Sequence, residues 1–395
     1  MRADPLKLMV VTGSRADWGY LSVPVGLMRQ DSAFDISIVA TGQHLDPRSG
    51  GTISDIERDG IAVAARVDMG LGDDSPLAVT RSMAQGLSGM AEVVNRLAPG
   101  LMFILGDRYE VLAAASAALI ARIPVVHLGG GDVSEGAIDD AIRHALTKLS
   151  HLHFPTSAEA AARIVQMGED PARVHSVGST GLDRLLKVLI QPRDAFFASI
   201  GVVSRARNLL VTMHPATLSA NPLGDAEALL SALAQFGEEM GLIFTGSNAD
   251  AQGQALTDKV KQFVSTRSNA TFHASLGTER YINAMAHCDA VVGNSSSGLY
   301  EAPSMKRPTV NVGSRQDGRL KAKSVIDCAG DPQAIRTAIE TALNLDCSTV
   351  ISPYGDGRAS ERIVDILRMI EHPEALLHKR FHTPARLQDG RHDRT

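Results

Sequence analysis

Short apolar runs separated by glycine-bearing loops and amphipathic stretches recur along this chain. Leu6–Val11, Phe34–Ala40, Leu101–Leu105, Val125–Leu128 and His151–Phe154 read as strands, with a weaker connection and strand over Ile53–Val67. Between them, spacing predicts a helix running to Met28 and further helices over Thr80–Leu97, Ala114–Ala121 and Ala137–Leu149. The first series stops at VGSTGLD, Val177–Asp183. A second repeats the pattern over Leu209–Met213, Leu242–Thr245, Thr271–His273, Asp289–Val292, Pro308–Val312 and Val325–Cys328. Strands alternating with helices imply parallel βαβ units, with sites beyond the carboxyl ends of the strands. The expected fold is α/β, two doubly wound Rossmann-like domains facing across a cleft. Expected bounds are 1–180 for an N-terminal domain and 181–357 for a C-terminal domain. A helix within 358–378 is expected to cross back to the first domain, followed by a flexible tail over 379–395.

Composition narrows the chemistry. A chain of 395 residues exceeds one ordinary core, and 44% hydrophobic content can fill two. Only 4% is aromatic and the net charge is −5, which argues against a nucleic-acid partner. Three scattered cysteines, Cys288, Cys328 and Cys347, fit a reducing cytoplasm. There is no apolar run long enough to span a membrane, and no secretory signal is evident.

The loops after the strands hold the candidate chemistry. Thr12–Gly19, TGSRADWG, lacks the dinucleotide glycine pattern but offers Ser14, Arg15 and Asp17. Arg15 suits either a phosphate or the surface, and His44 in TGQHL either catalysis or a hydrogen-bonding role. Asp107 and Arg108 leave LMFIL at a strand end, where Asp107 is either a helix cap or an acid/base, and Glu110 favours the positive end of the next helix. Three glycines, Gly129–Gly131, then precede Asp132 and Glu135. Asp139 and Asp140 are adjacent and cannot point the same way, so one is a candidate active-site acid; Arg143 is spaced to share a helix face with Asp139. His144, His151 and His153 lack the compact further ligands a metal site needs. In the second half, His214 follows a strand, where its imidazole suits either a diphosphate or a catalytic proton transfer, Asn248 sits in TGSNAD, and VVGNSSSGLYEAP offers Asn294, Ser295 and Ser296 as a helix cap open to an anion. Glu301 is suited to ribose hydroxyls, and Arg315 and Arg319 to phosphate or to the surface.

These strings in this order, TGSRADWG, TGQHL, LGDRYEVLAAA, GGGDVSEGAIDDAIRHALTKLSHLHF, VGSTGLD, TMHPAT, VVGNSSSGLYEAP and VNVGSRQDGR, resemble the hydrolysing UDP-N-acetylglucosamine 2-epimerases of sialic acid synthesis and their relatives in legionaminic acid synthesis. The resemblance implies the two-domain glycosyltransferase B fold and a cytoplasmic homodimer or homotetramer. The implied reaction breaks the anomeric C1–O bond and removes the C2 proton. Water then adds to a 2-acetamidoglycal, giving a free sugar inverted at C2 and a nucleoside diphosphate. It maps Asp107 and Asp139 to acid/base roles, His214 to the diphosphate, Ser295 and Ser296 to the nucleotide, Glu301 to the ribose, and Arg15 and Arg319 to a basic pocket. No cofactor is implied, although a diphosphate can carry a divalent cation. One position departs. Where many N-acetylglucosamine-specific members have glutamate in HIEGG, this chain has Gly129 in HLGGG, leaving Asp132, Glu135 or water to replace it. The expected substrate is therefore UDP- or GDP-N,N'-diacetylbacillosamine first and UDP-N-acetylglucosamine next. A glycosyltransferase, a non-hydrolysing 2-epimerase and a catalytically silent nucleotide-sugar sensor are the alternatives.

Overall fold

A computed structural model describes residues 4–47, 52–72, 75–133, 138–215, 221, 223–246 and 253–383. The chain divides into two compact units, Met1–Arg184 with Gly357–Thr395, and Leu185–Asp356.

In the first unit, β1 (Leu6–Thr12), β2 (Phe34–Thr41), β3 (Val63–Val67), β4 (Leu101–Leu105), β5 (Val125–Leu128) and β6 (Leu152–Phe154) form one sheet in the order β3-β2-β1-β4-β5-β6. Every pairing is parallel. Side chains alternate between faces, so Leu8 and Val10 enter one core cluster while Met9 and Val11 enter another. Both faces are covered, which is why these strands read as near-continuous apolar runs.

The second unit repeats the plan with β7 (Arg207–Thr212), β8 (Met240–Thr245), β9 (Ala270–His273), β10 (Ala290–Gly293), β11 (Thr309–Val312) and β12 (Val325–Cys328). Their order, β12-β11-β10-β7-β8-β9, is the doubly wound order of the first sheet. Strand order reverses between β1 and β4 in one unit and between β7 and β10 in the other. In such sheets the usual ligand position is the crevice beyond the carboxyl ends of the strands at each of these switch points.

Some local expectations shift. Ile53–Arg58 is a short helix rather than a weak connection, and the helix expected from Thr80 begins at Pro76. Ser75 accepts a hydrogen bond from the Ala78 amide and proline supplies the first helical φ, a start that apolar spacing does not register. The division between units falls at 184/185 and 356/357 rather than at 180/181 and 357/358. Asp183 supplies the reason, because its carboxylate accepts from the Ala359 and Ser360 amides and so caps the helix Ala359–Arg368. Ala359, Ile363, Val364 and Leu367 of that helix join the core containing Trp18, Leu21, Val25 and Met28 of the helix Arg15–Arg29. The solvated tail expected from Lys379 does not begin there. Lys379 Nζ donates to the Lys148 and Ser150 carbonyls and pairs with buried Glu169, and the His382 amide bonds the Gly168 carbonyl. Residues 384–395 lie outside the described residues. Among the described residues, no helix is long and apolar enough to cross a membrane.

Candidate functional site

At the crevice of the first unit, Ser14 caps the helix Arg15–Arg29 by accepting from the Asp17 amide, and Asp17 Oδ2 accepts from the Gly13 amide at 3.0 Å. Burial raises the Asp17 carboxyl, with these hydrogen bonds opposing it. Arg108, from the β4 loop, donates to both oxygens of fully buried Glu110 at 3.2–3.3 Å. Glu110 thus neutralises an arginine instead of simply facing a helix end. Arg15 extends to Asp55 at 3.4 Å with a side chain 80% exposed. His44 is fully buried between the Thr12 and Thr52 hydroxyls, both at 2.9 Å, which is the hydrogen-bonding alternative.

The carboxylates gather around Arg143. This buried arginine pairs with Asp107, contacts Asp140 at 3.4 Å, and donates to the Asp132 carbonyl at 2.9 Å. Asp107 is therefore an ion-pair partner, and Arg108 occupies the cap position of the following helix. The spacing argument placed Asp139 beside Arg143. The structure puts Asp140 there, three residues away, and Asp140 also meets His144 at 3.4 Å. Asp139 is half-buried in the first turn of the same helix. The Asp132 carboxylate accepts from the Thr156 hydroxyl at 3.2 Å, and burial raises its pKa against that bond and the nearby Arg143 and Arg163. Arg143 thus ties the Asp107 carboxylate to the backbone of the loop that bears Asp132, while the Asp132 carboxylate itself is held by Thr156. Glu135 lies outside the described residues.

Glycine is required locally here. Gly129 and Gly131 have φ of +78° and +82°, and a Cβ on Gly131 would lie 2.3 Å from the Ala160 carbonyl oxygen. Close approach of the chain to itself, rather than to a ligand, explains that residue. His153 meets Glu169 at 3.0 Å and His151 Nδ1 accepts from the Val125 amide at 3.1 Å, so both serve the fold.

In the second unit, Asn294 joins the two loops at the crevice. Its side chain accepts from the His214 amide at 2.7 Å and donates to the His214 carbonyl at 2.8 Å. Asn294 is a clamp across β7 and β10, not a helix cap. The helix after it, Ser297–Tyr300, has four residues, and Ser296 at its start makes no side-chain cap bond. The residues expected to cap a helix form instead a tight turn of hydroxyls. Ser297 Oγ contacts Ser295 Oγ at 3.0 Å and Tyr281 Oη at 2.6 Å, and Tyr281 reaches Thr212, which meets Thr245 at 2.6 Å. Arg315 and Gln316 both donate to the Asn294 carbonyl, at 3.2 and 2.7 Å. Arg319 lies over the Tyr300 ring at 5.9 Å, and Tyr300 stacks on Tyr354. Asn248 lies outside the described residues. Tyr281, Gln316 and Thr156 were not singled out by sequence, because each reaches its loop from an element distant along the chain.

Glu301 ends this turn with Oε2 enclosed and without a hydrogen-bond partner among the described residues. Burial pushes its carboxyl from 4.5 up to about 7. The folded protein then holds this proton more tightly than the unfolded chain. Stability conferred by protonation is complete below about pH 4.5 and is lost as pH rises to about 7, by up to roughly 3 kcal/mol. Glu301→Gln should flatten that dependence in denaturant melts between pH 4.5 and 7.5; an unchanged slope would show that Glu301 does not cause it.

Among known proteins, the chain is 32% identical over 94% of its length to UDP-N,N'-diacetylbacillosamine 2-epimerase (hydrolyzing) of Legionella pneumophila, covering 98% of that protein. It is 34% identical over 81% of its length to GDP/UDP-N,N'-diacetylbacillosamine 2-epimerase (hydrolyzing) of Campylobacter jejuni, covering 84% of that protein. The solved structure of UDP-GlcNAc 2-epimerase from Methanocaldococcus jannaschii matches the fold with a TM-score of 0.76 at 19% identity, over 92% of this chain and 99% of that one. The family model described as UDP-N-acetylglucosamine 2-epimerase matches residues 27–368, and with that span the chain belongs to the UDP-N-acetylglucosamine 2-epimerase family.

Proposed function

We propose that the protein is a hydrolysing 2-epimerase, converting a nucleotide-linked 2-acetamido sugar and water to the free C2-inverted sugar and a nucleoside diphosphate. The observation that carries this reading is the sharing of Arg143 by Asp107 and by the loop that bears Asp132. A carboxylate held by an arginine and a second one whose pKa burial raises suit removal and return of a proton at C2. Asp139 and Glu135 remain further candidates for proton transfer or water activation. Ser295, Ser296, His214, Arg315 and Arg319 are assigned to the nucleoside diphosphate, with Glu301 accepting from the ribose hydroxyls and Ser14 and Arg108 supporting the opposite loops. Cationic and hydroxyl donors stabilise the departing diphosphate as negative charge develops.

UDP- or GDP-N,N'-diacetylbacillosamine is the favoured substrate, with UDP-N-acetylglucosamine next. Two relatives above 30% identity are named for the diacetylated sugar. Gly129 also leaves a side chain's volume free where a carboxylate stands in the HIEGG pattern.

Anomeric NMR in deuterated water with a panel of UDP- and GDP-linked acetamido sugars tests this. The expected result is free sugar inverted at C2, deuterium at C2, and released nucleoside diphosphate. Turnover without C2 deuterium would sink the reading. Transfer to an added acceptor would identify a glycosyltransferase, nucleotide retained on the product a non-hydrolysing epimerase, and tight binding without turnover a sensor.

A further inference from the structure

Three hydrogen bonds converge on the GGGD loop, and the sequence pattern accounts for none of them. Arg163, from the helix Ala158–Gln166, donates to the Gly131 carbonyl, and Arg143 to the next carbonyl, that of Asp132. The Thr156 hydroxyl holds Asp132 Oδ2 at 3.2 Å. Gly131 cannot bear a side chain without striking the Ala160 carbonyl. The Asp132 backbone and one carboxylate oxygen are thus fixed from two helices and a strand end. A loop whose purpose was only to connect elements would not need this restraint.

We propose that Asp132 is the acid that returns a proton to C2, with Thr156 as its positioning residue, replacing the carboxylate absent at Gly129. This rests on the hydrolysing-epimerase reading above. In the first half-reaction, Asp107 takes the C2 proton, the C–H electron pair becomes the C1=C2 double bond, and the diphosphate leaves with the C1–O electrons. In the second, Asp132 gives its proton to C2 on the opposite face while water oxygen bonds C1. The surplus water proton restores Asp132, and Asp107 returns its proton to solvent. Burial, which favours the protonated form of Asp132, supports the assignment; Thr156, Arg143 and Arg163 oppose that shift and Asp107 adds to it.

The division of labour gives the two carboxylates different mutant products. With the full-length protein and the best nucleotide sugar from the panel, Asp132→Asn should still release nucleoside diphosphate. The sugar should then emerge mainly as the 2-acetamidoglycal, with free inverted sugar reduced about 10²-fold or more. Thr156→Val removes a hydrogen bond that favours the ionised carboxylate. It should raise the glycal fraction severalfold and move the alkaline limb of kcat to higher pH, effects that a purely structural role would not produce. Asp132→Glu should recover part of the free sugar. Thermal melts of each variant establish that it is folded. Folded Asp132→Asn that keeps the wild-type ratio of sugar to glycal, or loses diphosphate release and glycal together, overturns the assignment while leaving the epimerase reading intact. Wild-type protein that forms no inverted sugar overturns both.

Discussion

Asp107→Asn should slow nucleoside diphosphate release by about 10²–10⁴-fold while leaving nucleoside diphosphate affinity unchanged. Asparagine keeps the size of aspartate and an oxygen that can accept from Arg143, but it cannot take a proton from carbon at neutral pH. The affected step is the first, so neither glycal nor free sugar should form, unlike the expectation for Asp132→Asn. Arg143 is only 5% exposed, and the substitution removes a charged partner from it while the Asp140 contact at 3.4 Å stays. A stability loss of about 1–3 kcal/mol should accompany the kinetic effect. Single-turnover rates and a nucleotide titration on the folded variant separate the two. Wild-type turnover in this variant would remove Asp107 from the chemistry.

Gly293→Ala should be the most damaging small substitution at the second crevice. Gly293 ends β10 with φ of +138°, and a Cβ there would lie 2.0 Å from the Thr212 carbonyl oxygen and 2.8 Å from its carbon. Both atoms are backbone of β7, which pairs with Gly293 in register, so no side-chain rotation relieves the clash. The strands must separate at the point where Asn294 clamps His214. A loss of about 3 kcal/mol or more is expected, read as a lower denaturant midpoint, together with weaker nucleotide binding. Gly129→Ala provides the contrast. The nearest atom to its Cβ would be Leu105 Cδ1 at 3.8 Å, leaving only the strain of φ +78°, about 1–2 kcal/mol. A Gly293→Ala protein as stable as wild type would show that the β7–β10 junction is more pliable than these contacts require.

The doubly wound plan was legible in the chain because each parallel strand is buried on both faces and therefore nearly continuous in apolar residues. Leu101–Leu105 and Val125–Leu128 are cases in which expected and observed bounds coincide. The candidate loops were legible too, since function-bearing residues of such sheets follow the carboxyl ends of strands. Partner choice was not. Sequence spacing paired Arg143 with Asp139, whereas helix geometry and the approach of the β4 loop give it Asp140 and Asp107. Spacing also made Asn294 a helix cap, whereas β10 lies beside β7 and places it against the His214 backbone.

The sequence by itself determined two α/β series, the loops that end their strands, and the absence of a carboxylate at Gly129. Those features follow from periodicity and residue type, which are local. Only the tertiary structure decided that Arg143 links Asp107 to the Asp132 loop, that Thr156 and Arg163 brace that loop, and that Asp183 caps the helix near the chain's end. Each of these contacts joins residues far apart along the chain, and a hydrogen bond acts over a few ångströms whatever the number of residues between its partners.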